Sequence, residues 1–128
     1  MLNYFTEDEL KCKGTGVCKL AKDFGIELDY IRKKWGKPLT LTSACRSPEH
    51  NEAVSGREGS FHLTENPKYN TGGCCAVDIF WERWKKEDKD EFVTLALDLD
   101  WSVGLAKTFV HIDRRVDYTE KLKAWWNY

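Results

Sequence analysis

The run Phe109-Val110-His111-Ile112-Asp113 alternates apolar residues with a histidine and an aspartate, and that alternation limits what it can become. As a strand it places Phe109, His111 and Asp113 on one face and Val110 and Ile112 on the other. One face then belongs to a core and the other to chemistry. A second run, Ala76-Val77-Asp78-Ile79-Phe80, carries one aspartate in an otherwise apolar strand, just after the small-residue cluster Gly72-Gly73-Cys74-Cys75. A carboxylate buried in that setting needs a partner. Whatever fold the chain adopts has to supply one.

A third run, Ser60-Phe61-His62, reads as strand-like and adds a second histidine. Two histidines and an aspartate are a set of three protein ligands for a mononuclear catalytic zinc, which leaves a fourth position open. His62, Asp78 and His111 are the candidate ligands. Their gaps, 78 − 62 = 16 and 111 − 78 = 33 residues, match no short metal motif, so context carries the reading. One histidine in an apolar strand is more often a hydrogen-bonded core residue, and one buried aspartate is often a backbone cap. It is two of the chain's three histidines, with a strand aspartate between them, that favour a metal. His50 follows Ser47-Pro48-Glu49, a helix start with a capping serine and an early proline. It reads as structural or solvent-facing, outside the ligand set.

The remaining pattern is that of an α+β chain. Thr6 and Glu9 form a capping box for a short first helix. Leu20, Phe24, Leu28, Ile31 and Trp35 step by four, four, three and four, which predicts an amphipathic helix stopping at Gly36-Lys37-Pro38. A strand at 39–43, a helix at 48–54, the strand at 76–80, a helix at about 89–99 and a strand at 108–113 follow. The helix at 89–99 is expected to be capped by Asp88 with Glu91 and to bury Phe92, Ala96 and Leu99. The 128 residues suit a single small domain, 1–128, burying about two-thirds of its unfolded surface, with an antiparallel sheet and helices packed on it. Leu122, Trp125 and Trp126 predict a short helix in the tail, packed on the domain; tryptophans stacking on sugars are the alternative.

Charge and cysteine usage narrow the partners. The chain has 20 basic and 21 acidic residues in mixed order, net −1, with no basic stripe, which argues against nucleic acid. No apolar run approaches the ~18 residues of a membrane span. The first residues have neither the basic region nor the apolar stretch of a secretory signal, so the expectation is cytoplasmic synthesis of a monomer. Five cysteines cannot all pair, and free thiols are the default in a reducing cytosol. A second metal at Cys12 and Cys18 would need further ligands that the sequence does not place.

In order, Phe5 to Leu10, Leu41 to Asn51 (Leu-Thr-Ser-Ala-Cys-Arg-Ser-Pro-Glu-His-Asn), Ser60 to Leu63, Ala76 to Ile79 and Gly104 to Asp113 resemble the zinc D-alanyl-D-alanine carboxypeptidases and L-alanyl-D-glutamate endopeptidases, especially small phage and prophage members. The resemblance covers about residues 3–115 and leaves 116–128 as a C-terminal extension. Its most specific pieces are Ser-x-His, Ala-x-Asp and Phe-Val-His-x-Asp. It implies a hedgehog-type metal fold, one zinc ion (Zn2+), and hydrolysis of peptide bonds in the stem peptides of bacterial peptidoglycan. It also implies a phage lysin, released to the wall or carried on a virion. Arg46, right after strand 39–43, matches an arginine that would bind substrate carboxylates bidentately, and Ser60 matches a second polar position near the substrate.

Two departures from the family pattern bear on chemistry. In the family a glycine stands between the first histidine and the aspartate; here Cys74 takes its place, and nine extra residues, Thr64 to Gly72, intervene. Their Pro, Asn and Gly make a polar loop at the mouth of the site, either a substrate-shaping flap or an indifferent insertion. Many members also carry an acidic residue three positions before the last histidine, where Thr108 stands here. A threonine hydroxyl cannot act as a base near neutral pH. Asp113 is the candidate base, with the alternative that it orients a ligand histidine by accepting its other ring proton. The missing acid also raises a second class of function, a non-catalytic wall-binding or virion protein that keeps the fold.

Overall fold

Local chemistry sets each element before packing joins them. In a computed structural model describing residues 2–128, the capping box forms as expected. The Thr6 hydroxyl accepts from the Glu9 N–H at 3.2 Å and the Glu9 carboxylate accepts from the Thr6 N–H at 3.0 Å, starting α1 (Glu7–Leu10). Helix α2 (Phe24–Trp35) buries Phe24, Leu28 and Ile31 completely and stops at Gly36, whose φ of 76° is the left-handed cap that glycine adopts freely. Leu20, the first member of the periodic set, lies outside the helix, where it bridges to Cys74. Ser47 caps α3 (Pro48–Ala53). Helix α4 (Lys86–Asp98) begins three residues before the expected 89, after Lys85. Asp88 is therefore not a cap. It sits in the first turn with Glu87, near the positive end of the helix dipole, and pairs with Lys37 at 3.3 Å. Phe92 and Ala96 are buried as expected, and Leu99 ends the helix, partly buried.

Five strands form one sheet in the order β1 (Leu41–Ser43), β2 (Ala76–Phe80), β4 (Phe109–Asp113), β3 (Ser102–Leu105), β5 (Trp125–Asn127). The first three pairings are antiparallel, but β5 runs parallel to β3, so the sheet is mixed rather than antiparallel throughout. This corrects the tail as well. Its expected helix is a strand, because the edge of β3 offers Val103 N–H to Ala124 O and Leu105 O to Tyr128 N–H, both at 2.9 Å. Aromatic residues suit such a half-covered edge. A one-turn helix, α5 (Arg115–Tyr118), connects β4 to it. The Ser60–His62 run is also no strand: it is a turn, with the Ser60 N–H donating to Arg57 O and the Leu63 N–H to Ser60 O.

Register decides what each face carries. Val77 pairs with Ile112, Ile79 with Val110 and Val103 with Ile112, all fully buried. They pack with Phe24, Leu28, Ile31, Phe92, Ala96 and Trp101 in one core, each large apolar side chain contributing about 1.5–3 kcal/mol. The opposite face carries a row running Asp78, His111, Gly104, Trp126 across four strands. Upstream of β2, Gly73 at φ 149° passes the backbone of Leu20 and Ala21 so closely that a Cβ would sit 2.6 Å from it. The 64–72 loop is anchored: Asn66 Nδ2 donates to Gly59 O and Ser60 O at 3.1 Å, and Tyr69 stacks on Phe61 at 5.2 Å. All five cysteines are free thiols, and no helix among the described residues is long and apolar enough to cross a membrane.

Candidate metal centre

The three predicted ligands meet. One ligand atom from each of His62, Asp78 and His111 lies within 4.8 Å of the others, and all three residues are buried. Asp78 and His111 are brought together by β2–β4 register. His62 comes from the turn, which is tied to its neighbours through Arg46 N–H to His62 O and Cys75 N–H to Phe61 O, both 2.9 Å.

Proton positions follow from the outer partners. His62 Nδ1 lies 2.7 Å from Ala44 O, a carbonyl that can only accept, so Nδ1 carries the proton and Nε2 presents a lone pair to Asp78 Oδ1 at 3.1 Å. His111 Nε2 lies 2.8 Å from Asp113 Oδ2 and donates to it, leaving Nδ1 facing the same Asp78 Oδ1 at 3.0 Å. Arg46 Nη2 takes the other oxygen, Oδ2, at 3.3 Å. Two nitrogen lone pairs and a carboxylate oxygen thus converge on one point. Such a point attracts a cation, and two imidazoles with one carboxylate are a zinc donor set.

Without a metal, a proton is the available cation, and the titration shifts show where it goes. Burial lowers the pKa of His62, against the opposing charge of Asp78. Burial also acts against a charged His111, yet hydrogen bonds to Asp113 and Asp78 raise its pKa to about 9. For Asp78, burial opposes ionisation, but the His62 and His111 imidazoles beside it hold the carboxyl well below the usual carboxylate range. Burial likewise opposes ionisation of Asp113, and its bonds to His111 and Arg115 prevail, lowering it to about 2.

Asp113 lies behind His111. It is fully buried and accepts from four donors: His111 Nε2, the Arg115 N–H at 2.9 Å, Arg115 Nε at 3.0 Å and Nη2 at 2.8 Å. The Arg115 guanidinium is sandwiched between Phe61 and Trp126, 4.9 and 4.8 Å from their centroids.

In front of the three ligands opens a cavity of about 500 Å³. Arg46 and Ser60 line it with His62, Asp78 and His111; Asp113 does not. Arg46 is partly occupied by Ser43 Oγ at 3.1 Å and Asn51 Oδ1 at 3.4 Å as well as Asp78, while Ser60 Oγ accepts from the His62 N–H at 3.2 Å. The walls also include Lys68 and Tyr69 from the loop expected at the mouth and Trp126 from the tail, together with Glu58, Arg115 and Tyr128, which were not foreseen as site residues. Arg46, Arg57, Lys68, Arg115 and Lys121 outnumber the two lining carboxylates, Glu58 and Asp78, in a chain of net charge −1. His50 lies elsewhere, against Gly14, where a Cβ would come 2.2 Å from its ring.

The sequence pattern of the family described as Peptidase M15 matches residues 3–113. No curated protein and no solved structure matches the chain.

Proposed function

The chain belongs to the peptidase M15 family, and we propose that it is a zinc-dependent hydrolase of peptide bonds in bacterial peptidoglycan stem peptides, of the D,D-carboxypeptidase or L-alanyl-D-glutamate endopeptidase type. The observation that carries this reading is the convergence of His62 Nε2, His111 Nδ1 and Asp78 Oδ1 at the base of a cavity, with each outer group already satisfied. A zinc ion held by these atoms would supply a Lewis acid for the scissile carbonyl and bring the pKa of a water to roughly 7.

The chain's own residues do the rest. The excess of cations around the cavity suits a substrate bearing free carboxylates, as stem peptides do, with Arg46 as the inner contact and Ser60 beside it. Asp113, buried behind His111, accepts the Nε2 proton, so a His111 imidazole that ligates a metal presents its lone pair at Nδ1. That position supports the orienting role over the role of base. Proton exchange with the reacting groups then falls to Glu58, the one lining carboxylate besides Asp78. Delivery to the wall by phage release or on a virion suits such an enzyme.

Thr108, standing where an acid is common, favours one other reading, a wall-binding protein that keeps the metal and cuts nothing. Muropeptide digestion by zinc-loaded protein, read by mass spectrometry, decides. Cleavage at a stem-peptide bond is expected; intact muropeptides from several wall chemotypes, with zinc bound, would establish the wall-binding reading instead.

A further inference from the structure

The matched family region ends at residue 113, yet the cavity wall does not. Strand β5, beyond that limit, lies on β3 with Trp126 opposite Gly104, in the same row as His111 and Asp78. Gly104 makes this possible. A Cβ there would stand 2.6 Å from the Trp126 ring, so only glycine lets the indole lie across the strand and reach His111, 5.5 Å away. Two residues on, Tyr128 falls on the same face by strand alternation. Its N–H donates to Leu105 O at 2.9 Å and its ring packs on Phe109 and Trp126, 5.4 and 6.0 Å between centroids.

We propose that Tyr128 is a catalytic residue of this site, its phenol O–H donating a hydrogen bond to the oxyanion that develops on the scissile carbonyl. The proposal rests on the peptidase reading above. The phenol O–H can donate, and Tyr128 lines the cavity with Asp78 and His111. Burial and the nearby negative charge of Asp78 raise the phenol's pKa, which keeps it a donor rather than a base.

The site has need of such a group. Of the cations lining the cavity, Arg46 pairs with Asp78 and Arg115 with Asp113. A neutral donor held at a cavity wall by the Phe109 and Trp126 rings is preorganised, and a donor aimed at a developing oxyanion is worth about 100- to 1000-fold in turnover. No proton is transferred in this step: the O–H bond stays intact and the hydrogen bond strengthens as negative charge builds on the carbonyl oxygen.

Tyr128→Phe keeps the ring and removes the hydroxyl. On a muropeptide that the zinc-loaded wild type cleaves, the variant is expected to lose about 100-fold in kcat with KM little changed, the pattern of an interaction made only in the transition state. A phosphinate pseudodipeptide, whose tetrahedral oxyanion mimics that state, should bind about 100-fold more weakly to the variant, while the cleaved peptide product binds both equally. Zinc stoichiometry and the melting temperature should be unchanged, since the Tyr128 residue is 62 % exposed. Equal kcat in variant and wild type overturns the proposal and leaves the peptidase reading standing; so does a loss confined to KM. A wild type that neither cleaves wall peptides nor binds the phosphinate overturns both.

Discussion

Replacing Asp113 by asparagine separates orientation from proton transfer. The carboxylate is fully buried and accepts from four donors between 2.8 and 3.0 Å. Asparagine has the same shape but one acceptor oxygen and no charge, so it cannot serve both His111 and Arg115. If its amide NH2 turns toward His111 Nε2, that nitrogen must be unprotonated and the ring's proton stays on Nδ1, the atom facing Asp78. A donor then stands where the metal needs a lone pair. If the NH2 turns toward Arg115, a mostly buried guanidinium loses its counter-charge. Loss of an outer partner of a ligand histidine costs about 10- to 100-fold in metal affinity, or about 1.4–2.8 kcal/mol. Breaking a buried pair costs about 3–5 kcal/mol of stability; Arg115 keeps some solvent contact, its side chain 15 % exposed, which places the loss near the lower figure. Zinc affinity is measured by competition with a chromophoric chelator, and turnover on muropeptides at zinc well above the variant's new Kd. Weaker zinc binding is expected, with turnover restored to within about tenfold once the site is saturated. Unchanged zinc affinity with turnover down by about 100- to 10,000-fold at saturation is what loss of a general base gives, and it would refute the argument.

Zinc binding should be strongly pH-dependent. In the metal-free protein His111 is charged up to about pH 9, and Nδ1 must lose its proton to ligate, so affinity rises about tenfold per pH unit below that value and levels above it; a pH-independent Kd between neutrality and pH 9 contradicts the proton placement. Glu58→Gln should cut turnover by about 100-fold or more with zinc affinity unchanged, and full activity in this variant removes Glu58 from the proton path. Gly104→Ala puts a methyl 2.6 Å from the Trp126 ring, with an expected cost of about 1–3 kcal/mol by thermal melting and a loss of the Trp126 stack on Arg115; a variant as stable as wild type would mean that β5 can lift from the sheet at no cost.

The parts of the site that could be read from sequence are those with a period. Asp78 and His111 sit on runs whose period-two pattern assigns Val77, Ile79, Val110 and Ile112 to a core, and those four are fully buried. The amphipathic spacing of Phe24, Leu28 and Ile31 likewise gives α2. His62 is legible as a candidate ligand but not as a turn residue. Ser-Phe-His has the composition of a strand, and the turn arises from bonds to Arg57, Arg46 and Cys75 that lie outside it. Leu122, Trp125 and Trp126 read equally as one side of a helix; the open edge of β3, a tertiary fact, makes that segment a strand. Four residues of β3 with a central glycine offer too short a pattern to detect. Glu58, Arg115 and Tyr128 carry no local signal at all, since their place at the cavity depends on loops and on a parallel pairing.

The sheet register ties stability to chemistry. Slipping β4 by one residue against β2 would carry Val110 and Ile112 out of the core and His111 into it, so the hydrophobic burial that holds the two strands also fixes Asp78 opposite His111. Neither ligand needs a metal to find the other. His62 is set by different means, a ring nitrogen on Ala44 O, a backbone N–H on Ser60 Oγ and a carbonyl on the Arg46 N–H. The same Arg46 reaches Asp78 Oδ2 and lines the cavity, so one residue joins the turn, Asp78 and the cavity. With register placing two donors and a hydrogen-bonded turn the third, little rearrangement remains for a cation to drive.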